Sequence, residues 1–179
     1  MIDNAAGYES TMAGLRSSPP PAATAVDRWV LTDSADLRRL RSALRRTLET
    51  QPLISDKELD DVAERMAIVA TELATNALRH ARSPALVQLS RTKRSLVLDV
   101  ADDQPSSPPQ VTADRDPQAG GRGLKIIEAL AYDTGWYVTG GTKHVWAQFK
   151  LSHRRRFQLP RISVPGLADV VQRCRRIGN

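Results

Sequence analysis

A carboxylate, an amide and an imidazole recur at four-residue spacing in Glu72-Leu-Ala-Thr-Asn76-Ala-Leu-Arg-His80. In a helix that spacing gathers them on one side. Leu59, Val62, Met66, Val69, Leu73 and Ala77 define an apolar stripe on the same segment, and at about 100° per residue the polar groups step into it. Glu72 flanks the stripe, Asn76 borders it and His80 sits on it. Polar groups on a core-facing stripe cost free energy unless something satisfies them, and a lined ligand cavity is one arrangement that does. An ordinary helix with a locally satisfied Asn and His fits the same pattern.

Two further features could meet that helix. In the run Leu96 to Ala101 the side chains of Leu96, Leu98 and Val100 share a strand face, and the period of two puts the Asp102 carboxylate next on that apolar row. Asp103 then points away or already lies in the loop. An Asp that merely ends a strand at a turn is the simpler alternative. Downstream, Gly120-Gly-Arg-Gly123 precedes Leu124, Ile126, Ile127 and Leu130, which have helical spacing. Glycines at a helix N-terminus expose unpaired amides at the positive end of the dipole, an arrangement suited to phosphate. Glycines before a helix also serve plain turns.

The elements that must position these residues follow from pattern. Residues 1–24 are rich in Ala, Ser, Gly and Pro, with Pro19-Pro20-Pro21, and are expected to form a disordered leader. Trp29-Val30-Leu31 reads as a first strand, and Leu37, Leu40, Leu44 and Leu48 as a helix with arginines on its outer face. Ser55-Asp-Lys-Glu58 has the form of a capping box, Ser55 accepting from the third amide and Glu58 reaching back, and the helix it opens runs to about Ala81 before Pro84. Leu86–Arg91 and Leu96–Ala101 flank the polar turn Thr92-Lys-Arg-Ser95 as an antiparallel hairpin. The aperiodic stretch from Asp103 to Ala119 has the length of a lid or binding loop. After Gly135, Trp136–Thr139 and Lys143–Leu151 form a second hairpin around Gly140-Gly141, with Val145, Ala147, Phe149 and Leu151 turned inward.

The chain has 179 residues, enough for one domain of ordinary size plus tails. Its single cysteine, Cys174, rules out an internal disulfide framework, and with His80, His144 and His153 scattered it offers no structural zinc site. No basic start, signal-like apolar run or membrane-length segment occurs, so a cytoplasmic protein without a membrane anchor is expected. The net charge is +6, all of it in residues 151–179, where seven Arg face one Asp. Basicity confined to such an appendage argues against nucleic acid as the main ligand. Leu167, Val170, Val171, Cys174 and Ile177 there give a short amphipathic helix that could dock on the domain or bind a partner.

The order of helix with Glu72, Asn76 and His80, hairpin, inward Asp102, loop, Gly-rich helix start and closing hairpin resembles the GHKL (Bergerat-fold) ATP-binding superfamily over about residues 26–151. Glu72-x-x-x-Asn76-Ala-x-x-His80 matches its N box, Asp102 stands where the first glycine box carries its Asp, and Gly121-Arg-Gly123-Leu124 matches the second. The single-domain size, the Gly-Gly-Arg-Gly-Leu form and Gly140-Gly-Thr-Lys-His-Val-Trp146 look most similar to bacterial anti-sigma-factor serine/threonine kinases. The resemblance implies an α/β two-layer sandwich, a mixed, mainly antiparallel sheet covered on one face by helices. It also implies a histidine-kinase-like ATP-binding domain over 25–151, between the leader (1–24) and the basic tail (152–179) that composition sets apart.

By the same resemblance, Asp102 would accept from the adenine amino group and Asn76 would bind Mg²⁺ through its side-chain oxygen. Glu72 would be the general base toward a serine hydroxyl or water. Amides around Gly121, Gly123 and Leu124 would cradle phosphate, with His80 and Arg122 as electrostatic contributors. The implied cofactors are ATP and Mg²⁺, and the implied partners are a sigma factor and an anti-anti-sigma antagonist, with a homodimer left open. The chain departs from the family in reading Asp102-Asp-Gln-Pro-Ser where Asp-x-Gly-x-Gly is usual, which removes backbone freedom near the base. Two other readings compete with a kinase. One is a non-catalytic partner-binding module in which ATP is structural or absent. The other is a nucleic-acid-associated protein acting through its Arg-rich tail.

Overall fold

The computed structural model describes residues 15–80, 84–106 and 121–151, with only the backbone of His80, Gly121 and Arg122. Five strands form one sheet in the order β1-β2-β3-β5-β4, from β1 (Thr24–Leu31), β2 (Ala85–Arg91), β3 (Ser95–Asp102), β4 (Asp133–Thr139) and β5 (Thr142–Lys150). All neighbouring strands are antiparallel. The helices are α1 (Asp36–Glu49), α2 (Asp56–His80) and α3 (Gly121–Leu130). The expected α+β architecture is the one observed. The mixed character expected of the sheet reduces to a single parallel bridge, Ser17 to Trp136.

Helices and sheet meet through matching apolar rows. Leu40, Leu44 and Leu48 of α1 and Val62, Met66, Val69, Leu73 and Ala77 of α2 are buried, the 3.6-residue spacing of an amphipathic helix. They pack on Val87 and Leu89 of β2, Leu96, Leu98 and Val100 of β3, and Val145, Ala147 and Phe149 of β5. The central strand β3 is buried along its whole length. The β4–β5 turn is Gly140-Gly141 with φ of +56° and +78°, the left-handed pair that a two-residue type I′ hairpin demands.

Three local details depart from the sequence reading. Residues 15–18, assigned by composition to a disordered leader, lie along the outer edge of β4: Trp136 donates to the Arg16 carbonyl (3.0 Å) and Ser18 donates to the Trp136 carbonyl (2.9 Å). Composition weighs apolar mass, and this segment is held instead by backbone pairing to an open edge, by buried Leu15 and by the Trp146 indole N–H, which donates to the Ser18 carbonyl at 2.7 Å. Residues 1–14 lie outside the described residues. The second difference is Gly135, which falls inside β4 rather than before it. A Cβ there would stand 2.8 Å from the Trp146 ring, so glycine is what lets the large ring lie flat on the sheet.

The third is the capping box, which forms with altered partners. The Ser55 hydroxyl donates to the Glu58 carboxylate at 2.6 Å, while the Glu58 amide bonds the Ser55 carbonyl at 2.8 Å. The Glu58 carboxylate still reaches back to the Ser55 amide, at 3.4 Å. At the start of α1 the capping task shifts to Asp33, which accepts from the amides of Ala35 (2.8 Å) and Asp36 (3.2 Å). Among the described residues no helix is long and apolar enough to cross a membrane. The tail helix around Leu167 lies outside the described residues.

Candidate functional site

The second half of α2 carries Glu72 and Asn76 one turn apart and half-buried, beside the fully buried Leu73, Ala74 and Ala77. The first turn of α3 comes directly against them. A Cβ on Gly123 would stand 2.7 Å from Glu72 Oε2 and 3.7 Å from Asn76 Nδ2. Glycine is therefore what allows the α3 start to approach the carboxylate, and any side chain would push Glu72 aside. Leu124 and Ile127, 4% and 0% exposed, anchor α3 in the core and fix that approach.

The start of α3 is suited to an anion. Its first-turn amides have no partner within the helix, and no acidic residue in that turn offsets the positive dipole end. Gly121, Arg122, Gly123 and Leu124 all fall in this turn, as expected. His80 is the last residue of α2; its side chain and that of Arg122 lie outside the described residues, as does most of the loop between Asp103 and Ala119.

Asp102 ends β3 on the face that carries Leu96, Leu98 and Val100, 5% exposed. Its Oδ1 accepts from the Gln104 amide at 2.9 Å, and its Oδ2 pairs with Lys143 Nζ at 3.2 Å. Lys143 is its register partner on β5. Asp103 turns outward into the loop, exposed. The structure thus brings Glu72, Asn76 and Gly123 into contact, and holds Asp102 separately at the same helix-covered face of the sheet.

Sequence reasoning missed Lys143 as a member of the site. Lys143 lies two residues before Val145 on the inward row of β5, but a lysine at a strand start reads as solvated until its register partner is known. It also missed a cluster on the opposite sheet face. There Asp99, 8% exposed, receives His144 Nδ1 at 2.8 Å on one oxygen and the Tyr137 hydroxyl at 3.2 Å on the other. The Tyr137 and His144 rings stack with centroids 4.5 Å apart. Burial, followed by the charge of Asp99, pushes the Tyr137 hydroxyl up to about 12. Away from both sites, the Thr32 amide and then Arg39 hold the Asp36 carboxyl well below the usual carboxylate range, tying the end of β1 to α1.

The donor set fits a nucleotide with a hard cation. Among the described residues no group of three or more His, Cys, Asp or Glu could hold a metal ion. Mg²⁺ keeps several waters and needs few protein oxygens beside phosphate, so Asn76 would be the residue to hold it, through its side-chain oxygen. With no side chain at Gly123, the start of α3 lies directly against Glu72 and Asn76, so phosphate oxygens held by its amides would lie near Asn76.

A family model described as a histidine kinase-like ATPase domain matches residues 30–149. Among solved structures, the chain is similar to the Acinetobacter baumannii histidine kinase AdeS, with 12% identity and a TM-score of 0.39 over 72% of this chain and 69% of that one. Comparison with curated proteins returned no match.

Proposed function

The chain belongs to the histidine kinase-like ATPase domain family, and from that premise we propose that it is an ATP-dependent regulatory serine kinase of the anti-sigma type. Its phosphoryl acceptor would be a serine of an anti-anti-sigma antagonist, and its other partner a sigma factor. The observation that carries the reading is the convergence of Glu72, Asn76 and Gly123, where the glycine lets the start of α3 come close against the carboxylate. Phosphoryl transfer needs mainly positioning and charge neutralisation, and a helix N-terminus beside Asn76 and a carboxylate suits both tasks.

Glu72 is the group that takes the proton of the attacking hydroxyl. The serine oxygen forms a bond to the γ-phosphorus, the bond to the bridging oxygen breaks, and ADP departs with that electron pair. The α3 amides around Gly123 and Leu124 hold phosphate oxygens, and Asp102 orients the base. Mg²⁺, when bound, neutralises phosphate charge beside Asn76.

A second reading, a partner-binding module without catalysis, draws on one observation. Asp102 is engaged by Lys143 and is followed by Asp103-Gln-Pro-Ser106 in place of glycines. Glu72→Ala separates the two. With γ-labelled ATP, a candidate antagonist as acceptor and phosphate release read in parallel, Glu72→Ala is expected to lower turnover about 100-fold or more while ATP affinity changes little. Equal turnover in wild type and variant would remove the kinase assignment.

A further inference from the structure

Lys143 is the one cation in the buried set among the described residues, 7% exposed. Its neighbours along the inward rows, Val145 on its own strand and Val100 on β3, are apolar. A buried ion pair is a weak source of stability, because desolvating two charges offsets most of their attraction and apolar pairs of similar volume do as well or better. Packing therefore gives no reason for a lysine at this point. A carboxylate and an ammonium held side by side do have a specific use, since they present an acceptor next to a donor.

We propose that Lys143 is a base-reading residue: Asp102 accepts from the exocyclic amine of adenine while Lys143 donates to the ring nitrogen N1. This rests on the nucleotide-site reading above. The two adenine nitrogens share one carbon, so bonds of about 1.33 Å set them about 2.3 Å apart. The 3.2 Å between Asp102 Oδ2 and Lys143 Nζ suits two hydrogen bonds converging on such an edge. A carboxylate has about four acceptor positions, of which the Gln104 amide and the ion pair take two, and an ammonium carries three donors.

The geometry follows from the register. Asp102 and Lys143 are direct partners across β3 and β5, and on antiparallel strands directly opposed side chains project from the same face. Both sit at the end of that row, where the apolar packing of Val100 and Val145 stops. The glycines absent after Asp102 would have let the backbone approach the base. A second polar contact from Lys143 offsets their loss.

The test measures affinity of the full chain for ATP, for 1-deaza-ATP, which has CH in place of N1, and for purine riboside triphosphate, which lacks the amine. Wild type is expected to bind 1-deaza-ATP about 10-fold more weakly than ATP, the worth of one hydrogen bond to a charged donor. Lys143→Met should bind ATP and 1-deaza-ATP alike and still discriminate against the amine-free analogue through Asp102. Lys143→Gln retains an N–H donor and should keep part of the N1 preference, which covers the case of a Met variant that fails to fold. Equal wild-type affinity for ATP and 1-deaza-ATP would overturn the proposal. So would an equal loss for both ligands in Lys143→Met, which would make Lys143 only a support for Asp102. If wild type binds none of the three, the nucleotide site itself is wrong and the base-reading role falls with it.

Discussion

Two buried carboxylates stand three residues apart on β3, and their surroundings differ in kind. Asp99 faces away from the helices and is enclosed by His144 and Tyr137, one on each oxygen. Asp102 faces the helices at the end of the strand and takes a lysine and a backbone amide. Both satisfy the rule that buried charge must be paired. The first is a closed network from three adjacent strands, β3, β5 and β4, and holds the sheet together. The second sits where the strand ends, on the same sheet face as α2 and the start of α3. Burial of an acid therefore does not by itself mark a ligand site.

The sharpest way to break this comparison is to neutralise each acid in turn. Asp102→Asn removes the charge opposite the Lys143 ammonium, and removing one partner of a buried pair costs about 3–5 kcal/mol. Urea denaturation should show that loss, and ATP affinity should fall at least about 10-fold. Gly123→Ala should separate function from stability within the same site. The new Cβ displaces the flexible end of Glu72, so turnover should drop about 100-fold while the urea midpoint stays near wild type. A matched fall in stability with intact turnover would mean that Glu72 has no catalytic role.

The other half of the comparison calls for smaller effects. Asp99→Asn weakens both bonds to His144 and Tyr137 and should cost about 1–3 kcal/mol, with ATP affinity unchanged in the same titration. A large loss of ATP affinity would show that the two faces are coupled. Tyr137→Phe removes one hydrogen bond and should cost about 1 kcal/mol. It also has a pH signature. The folded state holds the Tyr137 hydroxyl up to about 12, above its unfolded value of about 10, so its contribution is complete below about pH 10 and is lost toward pH 12. Denaturation at pH 9 and pH 11 should show a steeper alkaline loss for wild type than for Tyr137→Phe.

The parts of the fold legible in the sequence were those written in local periodicity. The α2 stripe from Leu59 to Ala77, the inward row Val145, Ala147, Phe149 and Leu151, and the Gly140-Gly141 turn all have signals within a few residues. Asp102 was legible for the same reason, as the continuation of Leu96, Leu98 and Val100. Lys143 was not, because a lysine at the start of a strand reads as solvated until its register partner is known. The Asp99 cluster joins residues 38 and 45 positions apart, and only the β3-β5-β4 strand order brings them together. Pairing of residues 15–18 with β4 left no trace, since backbone hydrogen bonds do not depend on side-chain identity.

The most direct test of the site is a calorimetric titration of the full chain with ATP, in Mg²⁺ and in EDTA, with Asn76→Ala alongside. Saturable binding that weakens in EDTA and in the Asn76 variant is the expected result. Absence of binding, or binding equally strong in all three conditions, would contradict a nucleotide site built from Glu72, Asn76 and the start of α3.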